Sequence, residues 1–534
     1  MKKEIIFACA LAVMLTMYSC KKDFLERKPR DLISEIDAYG SQTGLEAVTV
    51  RLYSDMLIED LNYEVAETAG YLSTITDEAV RSYTWAASVI NGPVIGNWFG
   101  SWDYGKIRRI NEFIAKVDQS PVSDDLKKRF KAEGRFIRAF HYFAMVKRYG
   151  GVPLITEAQQ FVAGADEATL QVQRSKEQDI YDFIAKELDE IKADLPSVTT
   201  GTDINRINKY VALALKSRAM LYAGCSAKYA TVQKDGLVGI PSTMADAYFK
   251  ASFDASAEII NDNKYTLYDT GGDKSANFQN LFLTPNNSEA IFSKLYKSPE
   301  VTHSFDWYNA PQSFRIDWGC ATNPTLDMVE EFEYIDGSPG KLKIKDVGGQ
   351  PIVYNNPQDL FLNKDPRLSA SIMLPFSAWQ GGVLEIRRGV IDGGVKYTSE
   401  DLNQGYPNNG DGFKRVGKDG PLTTWDPTKT GFYIKKFMNP NARVPYAQST
   451  TPFMVFRLGE ILLNHAEAAL ELSSPKTSDA LTSINKIRNR AGIIALTTVD
   501  IDKVRHERKV ELAFENHRFW DLRRWRIAST VLVR

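Results

Sequence analysis

Two regions of helical apolar spacing, separated by a long stretch in which that spacing disappears, constrain this fold more than any other feature of the sequence. Between about residues 41 and 265, apolar side chains recur every three or four positions, the period that places them on one face of a helix. Phe136, Ile137, Phe140, Phe143 and Ala144 make one such stripe, with Arg135, Arg138 and Arg148 off it; Gly150-Gly151 and then Pro153 end it, as a helix C-terminus requires. Ile180, Phe183, Ile184, Leu188 and Ile191 make a second stripe, ending at Pro196. Val211, Ala214, Leu215, Met220, Leu221 and Tyr222 make a third, rich in small residues. The pattern returns from about residue 451. Phe453, Phe456, Ile461, Leu462, Ala466, Ala469 and Leu470 read as one helical stripe, Asp479 to Ala491 as another helix and Asp500 to Phe514 as a third.

From about 266 to 450, Gly, Pro, Asn and Asp are frequent, as at Gly271-Gly272, Gly348-Gly349, Gly393-Gly394 and Asn408-Asn409-Gly410, and apolar runs such as Gly431 to Phe437 are short. Loops, small hairpins and brief helices are expected there. Small residues on one helix facing large ones on the next point to tetratricopeptide-type hairpins, without a strict consensus repeat. The predicted fold is therefore mostly α: a tetratricopeptide-like helical-repeat scaffold with a loop-rich insertion containing short strands. Residues 41–534 are expected to form a single discontinuous domain, helical at 41–265 and 451–534, with the insertion at 266–450.

Residues 1–19 read as an export signal. Lys2 and Lys3 precede an apolar run from Ile5 to Met17, too short for the roughly twenty residues that cross a bilayer core. Cys20, after Ser19, stands where a lipoprotein cleavage box places the cysteine that becomes the acylated N-terminus, and several acyl chains anchor stably where one does so marginally. Residues 20–40 then read as a lipidated tether. Cys225 and Cys320 lie far apart and suggest neither a disulfide framework nor a zinc site.

The charge balance, 66 basic against 67 acidic residues, argues against nucleic acid as a partner, which a basic face would serve. The five histidines, His141, His303, His465, His506 and His517, form no metal-ligand spacing, and no nucleophile elbow or phosphate-cradling loop is present. No catalytic residue, metal or cofactor is predicted, and His465, inside an apolar stripe, reads as structural. Glu507, Glu511 and Glu515 with Arg508, Arg518, Arg523 and Arg524 read as an ion-pair network fastening the last helices, since Arg forks suit buried carboxylates.

Six blocks together resemble the SusD/RagB family of outer-membrane nutrient-binding lipoproteins. After the tether Cys20-Lys21-Lys22-Asp23-Phe24-Leu25 come the helix from Glu133 with its Gly150-Gly151-Val152-Pro153-Leu154 exit, the helix Lys209 to Gly224, and the turn Asp365-Pro366-Arg367-Leu368. Phe456 to Ala468, Ile484 to Gly492 and Glu507 to Trp525 complete the series. The resemblance implies a SusD-like fold, a lipid-anchored position at the cell outer membrane facing the exterior, and partnership with a SusC-like, TonB-dependent barrel transporter. It implies non-catalytic capture of oligosaccharides and their delivery to that transporter; the alternative is a surface lipoprotein that binds peptides or glycopeptides for uptake.

A pyranose presents an apolar C–H face to an exposed indole or phenol ring, and its hydroxyls need forked donors and acceptors. Two polar stretches carry that mixture, and the resemblance implies a ligand platform in these two regions. The first offers Asp77, Arg81, Tyr83, Trp85, Asn91, Trp98 and Trp102; the second offers Trp307, Tyr308, Asn309, Arg315, Asp317, Trp318 and Asn323. Trp85, Arg81, Asp77, Trp98, Trp307, Asn309, Arg315, Asp317, Trp318 and Asn323 are the expected ligand contacts. Trp102 and Tyr104 are expected to open a helix and face the core, while Trp379 and Trp425 are weaker candidates.

Overall fold

The structure is a computed structural model that describes residues 34–64, 70–83, 99–164, 166–407, 412–423 and 426–532. The export signal and Cys20 lie outside the described residues, as do Trp85, Asn91, Trp98 and Trp425.

The chain is mostly helical. Ten helices carry the scaffold: α1 Gln42–Asp55, α2 Tyr104–Val117, α3 Asp124–Tyr149, α4 Glu177–Ile191, α5 Lys209–Tyr229, α6 Ala245–Asn261, α7 Leu458–Glu471, α8 Thr477–Ala491, α9 Ile501–Glu511 and α10 Arg518–Arg524. Side-chain caps start them: Ser123 accepts from the Leu126 N–H, Asn208 from those of Tyr210 and Val211, and Asp500 from that of Lys503, each satisfying donors that the first turn leaves unpaired. In α3, Asp124 and Asp125 occupy the first turn and Lys147 and Arg148 the last, matching the helix dipole, and Gly150 at φ 71° ends it.

Each helix from α2 to α7 packs on the next, and α7 also packs on α8 and α9, so the array runs from the early helices into the late ones across the insertion. Small residues set the spacing. At Gly224 of α5 an added Cβ would lie 2.7 Å from ring atoms of Phe249 on α6, so only glycine allows that approach. One buried apolar cluster reaches from Leu45 to Trp520 and takes in Phe305, Cys320 and Tyr433 of the insertion.

One expected stripe divides. Phe453–Arg457 is a strand, paired antiparallel with Ala290–Lys294, and the helix begins only at Leu458. All five strand residues are buried, so the segment needs no amphipathic period, and a short apolar run is compatible with either state. The remaining strands are short antiparallel pairs within the insertion or joining it to Ala79–Arg81. Asp365-Pro366-Arg367-Leu368, expected as a turn, starts the helix Pro366–Ser371 with Asp365 as its cap. Cys225 and Cys320 are buried free thiols.

The C-terminal charges form a buried lattice. Glu511 accepts from Arg367 at 2.8 Å, from Arg457 at 2.7 Å and from Arg490; Glu507 accepts from Arg367 at 2.6 Å and Arg488 at 2.9 Å; Glu515 pairs with Arg457 and Lys436, both at 2.7 Å. Burial opposes the charge on Glu511, and Arg490, Arg457 and Arg367 outweigh it, holding that carboxyl far below the usual range. His465 stacks on Phe253 at 4.3 Å and bonds Ser483 at 2.9 Å, a structural placement. Removing one side of a buried ion pair strands the other, at a cost of about 3–5 kcal/mol. Glu511→Ala is therefore expected to lower the unfolding free energy by about that amount, read from the denaturant midpoint; a shift within error of zero would contradict the lattice.

Candidate functional site

The two polar stretches meet through a strand pair. Ala79, Val80 and Arg81 run antiparallel to Pro324, Asn323 and Thr322, and the Ser82 N–H donates to the Ala321 carbonyl at 3.1 Å. The short helix Phe305–Asn309 lifts Trp307 and Tyr308 beside this pair, and the loop Ala310–Ala321 returns from it. Gly319 is pressed so closely on the Ala310 carbonyl that an added Cβ would lie 2.2 Å from its oxygen. Cys320 takes the left-handed φ of 64° to donate its N–H to the same carbonyl at 2.9 Å. That closure fixes the direction of Trp318.

The result is a group of rings. Trp307 and Trp318 lie 6.0 Å apart with planes 31° from parallel; Tyr308 and Tyr446 each approach Trp307 edge-on at 5.1 Å. Tyr83 sits beneath Trp318 at 5.6 Å, edge to face, and donates its hydroxyl to the Gly319 carbonyl at 2.7 Å. These are preferred aromatic geometries, and they stiffen the rings before any ligand arrives. Trp318 is 39% and Tyr446 59% exposed, and Trp307 is half-buried. Tyr446 escaped the sequence reading. The loop that carries it is held by the Ala447 N–H on Ser304 Oγ at 3.1 Å and by the Thr302 hydroxyl on the Ala447 carbonyl at 2.7 Å.

Several expected contacts prove to be supports. Asn309 and Asn323 are buried: the Asn309 amide bonds the Phe305 carbonyl and the Thr322 N–H, and the Asn323 amide bonds the Cys320 carbonyl and the Lys429 N–H. Their donors and acceptors hold the loop and face no solvent. Asp77 is likewise occupied, accepting both prongs of the Arg518 guanidinium at 2.8 Å and Lys509 Nζ at 2.8 Å. Arg81 is buried with its guanidinium over the Tyr83 ring at 5.5 Å. Arg315 and Asp317 remain at the rim, Arg315 paired with Asp426. Trp102 opens onto α2 as expected but is 50% exposed, edge-on to Tyr104 and Tyr149 and not among the platform rings. Trp379 is buried.

The segment after the insertion's last strand also borders a groove of about 840 Å³ lined by Leu295, Tyr296, Val301, Asn439, Asn441 and Thr450. Tyr296 is buried there, with its hydroxyl on Asp60 at 2.8 Å, so the groove offers no open ring face. Among the described residues no cluster of three or more His, Cys, Asp or Glu side chains is placed to hold a metal ion, and no helix is long and apolar enough to cross a membrane.

The mostly helical, tetratricopeptide-like scaffold carries this small group of aromatic rings on its insertion. The family described as the SusD family matches residues 288–534, and the family described as "Starch-binding associating with outer membrane" matches residues 23–221. The chain belongs to the SusD/RagB family. A SusD-like protein of Formosa agariphila is 24% identical over 99% of this chain and 89% of its own length. Among solved structures, a SusD-like protein of Bacteroides fragilis is 25% identical, with a TM-score of 0.70 over 95% of this chain and 90% of that one. A SusD-like carbohydrate-binding protein of the same species, 23% identical, has a TM-score of 0.70 over 92% of this chain and 88% of that one.

The Asp77 clamp carries a testable pH dependence. Burial raises the Asp77 carboxyl, but Arg518 and Lys509 outweigh it and bring it from 3.8 down to about 2. A depressed acid contributes stability above its unfolded value, and that contribution disappears as pH falls through the folded one. The stability lost on Asp77→Asn is therefore expected to be largest near neutral pH and to shrink between about pH 4 and pH 2. Denaturant midpoints of the two proteins across that range check it; a difference that does not change with pH would contradict the clamp.

Proposed function

We propose that this chain captures an oligosaccharide at the cell surface without cleaving it and passes it to a SusC-like, TonB-dependent barrel transporter. The observation that carries this reading is the set of partly open rings of Trp307, Trp318 and Tyr446, pre-packed against Tyr308 and Tyr83. A sugar ring laid on the indoles removes its C–H face and theirs from water with little ordering cost. Arg315 and Asp317 at the rim are the side chains available to its hydroxyls. The description of one matching family as starch-binding and outer-membrane-associated, and the name of a structural relative as a carbohydrate-binding protein, support the ligand class. Buried Asn309 and Asn323 and half-buried Asp77 act one layer below, keeping the strand pair and the helix Phe305–Asn309 in place. In this reading Cys20 is acylated and residues 20–40 tether the domain to the outer membrane, facing the exterior.

Screening a panel of glycans by affinity electrophoresis, followed by calorimetry on the best one, tests the site. Trp307→Ala with Trp318→Ala is expected to weaken binding by roughly 30-fold or more, the equivalent of about 2 kcal/mol for a lost aromatic anchor. Undiminished affinity, release of product from the glycan, or binding of peptides alone would each overturn the proposal. The tether has its own check. Cys20→Ala is expected to free the protein from membranes washed in high salt, a wash that removes electrostatic adhesion but not acyl chains.

A further inference from the structure

A second surface, unrelated to the aromatic platform, projects from the insertion between residues 341 and 356. It is a hairpin closed by the Lys345–Pro351 bridge, with the Ile352 N–H donating to the Ile344 carbonyl at 3.1 Å and the Tyr354 hydroxyl to the Lys343 carbonyl at 2.5 Å. At its turn the Asp346 carboxylate accepts the N–H groups of Gly348 and Gln350, both at 2.9 Å, so the finger's only acid is occupied in shaping it. What the finger presents is apolar and basic. Val347 at the turn is fully exposed, Val353 89% and Ile344 59%. Lys341, Lys343 and Lys345 are exposed, and none pairs with a carboxylate among the described residues; Lys343 Nζ lies 4.2 Å from the Tyr334 ring centroid. Acids nearby sit at the base: Glu330 accepts the Leu342 N–H and Asp336 the Ser338 N–H.

Three exposed aliphatic side chains rimmed by lysines on one hairpin mark an interaction surface. The residue types favour lipid over protein. Protein interfaces take their energy from Trp, Tyr and Arg and are depleted in Lys, with Val under-represented among their anchors. A lipid interface accepts aliphatic side chains at the acyl boundary, while lysine stems run alongside and their ammonium groups reach the phosphates. We propose that the Lys341–Asn356 hairpin is a membrane-contacting finger that sets Val347, Ile344 and Val353 into an anionic lipid surface and holds phosphate headgroups with Lys341, Lys343 and Lys345. Its role is to fix the domain's attitude on the membrane, which a tether alone leaves free; it does not rest on the sugar-binding reading.

The test uses the chain from residue 20 onward carrying Cys20→Ala, so that no acyl chain contributes. It is sedimented with vesicles of phosphatidylcholine alone and of phosphatidylcholine with phosphatidylglycerol. The protein is expected to partition onto the anionic vesicles, less so as salt rises. Lys343→Glu with Lys345→Glu is expected to lower that partition by about tenfold or more, and Val347→Asp to lower it on the same vesicles. Thermal melts and glycan binding, which the finger does not touch, are expected to stay unchanged and establish that the variants fold. Absence of binding to anionic vesicles, whatever protein the hairpin captures from an extract, would overturn the proposal. So would equal partition of the variants and the parent chain.

Discussion

Glu511 is the point through which the C-terminal half of the scaffold and the insertion are joined. Its carboxylate takes guanidinium donors from Arg367 at the start of the Pro366–Ser371 helix, from Arg457 at the end of a buried strand, and from Arg490 on α8. Those three arginines come from segments more than twenty residues apart from it in sequence or farther. In water such pairs are worth little, and in an interior each group must be matched or its desolvation is uncompensated. The lattice favours the observed register of the insertion, because a shifted one would leave buried charges without their partners.

That register carries the site. Arg518 and Lys509, which flank the same lattice, clamp Asp77 and so hold the beginning of the strand Ala79–Arg81. The strand pairs with Thr322–Pro324, which closes the loop beneath Trp318. Asn309 and Asn323 tie the loop to the helix that bears Trp307. A chain of contacts thus runs from the C-terminal helices to the aromatic rings, through half-buried Asp77, the strand pair, and the buried amides of Asn309 and Asn323. The rings are consequently placed by the whole scaffold and not by their own short helix of five residues.

Much of this was readable in the residues, and the failures have physical causes. Long helices such as α3 and α5 announce themselves through period, caps and a glycine stop. Phe453–Arg457 did not, because a strand buried on both faces has no alternation to read. Trp307 and Trp318 stood out as indoles among polar neighbours. Tyr446 lacks that mark, standing between Pro445 and Ala447; it lies over a hundred residues from the others, and nothing local says that it folds back onto Trp307. Asp77, Asn309 and Asn323 carry the chemistry of sugar contacts, and composition cannot separate a side chain that bonds a ligand from one that bonds the backbone beneath it. Family membership followed from blocks spread along the chain, since their order is a property of the fold, while the ligand depends on a few exposed rings.

Carbene footprinting of the protein with and without its glycan probes the central claim most directly, since it reports where side chains lose access to solvent. Protection centred on Trp307, Trp318 and Tyr446 and reaching Arg315 and Asp317 at the rim, with Trp102 unaltered, is the expected pattern. Labelling of those three rings that is unchanged by a bound glycan would contradict the account.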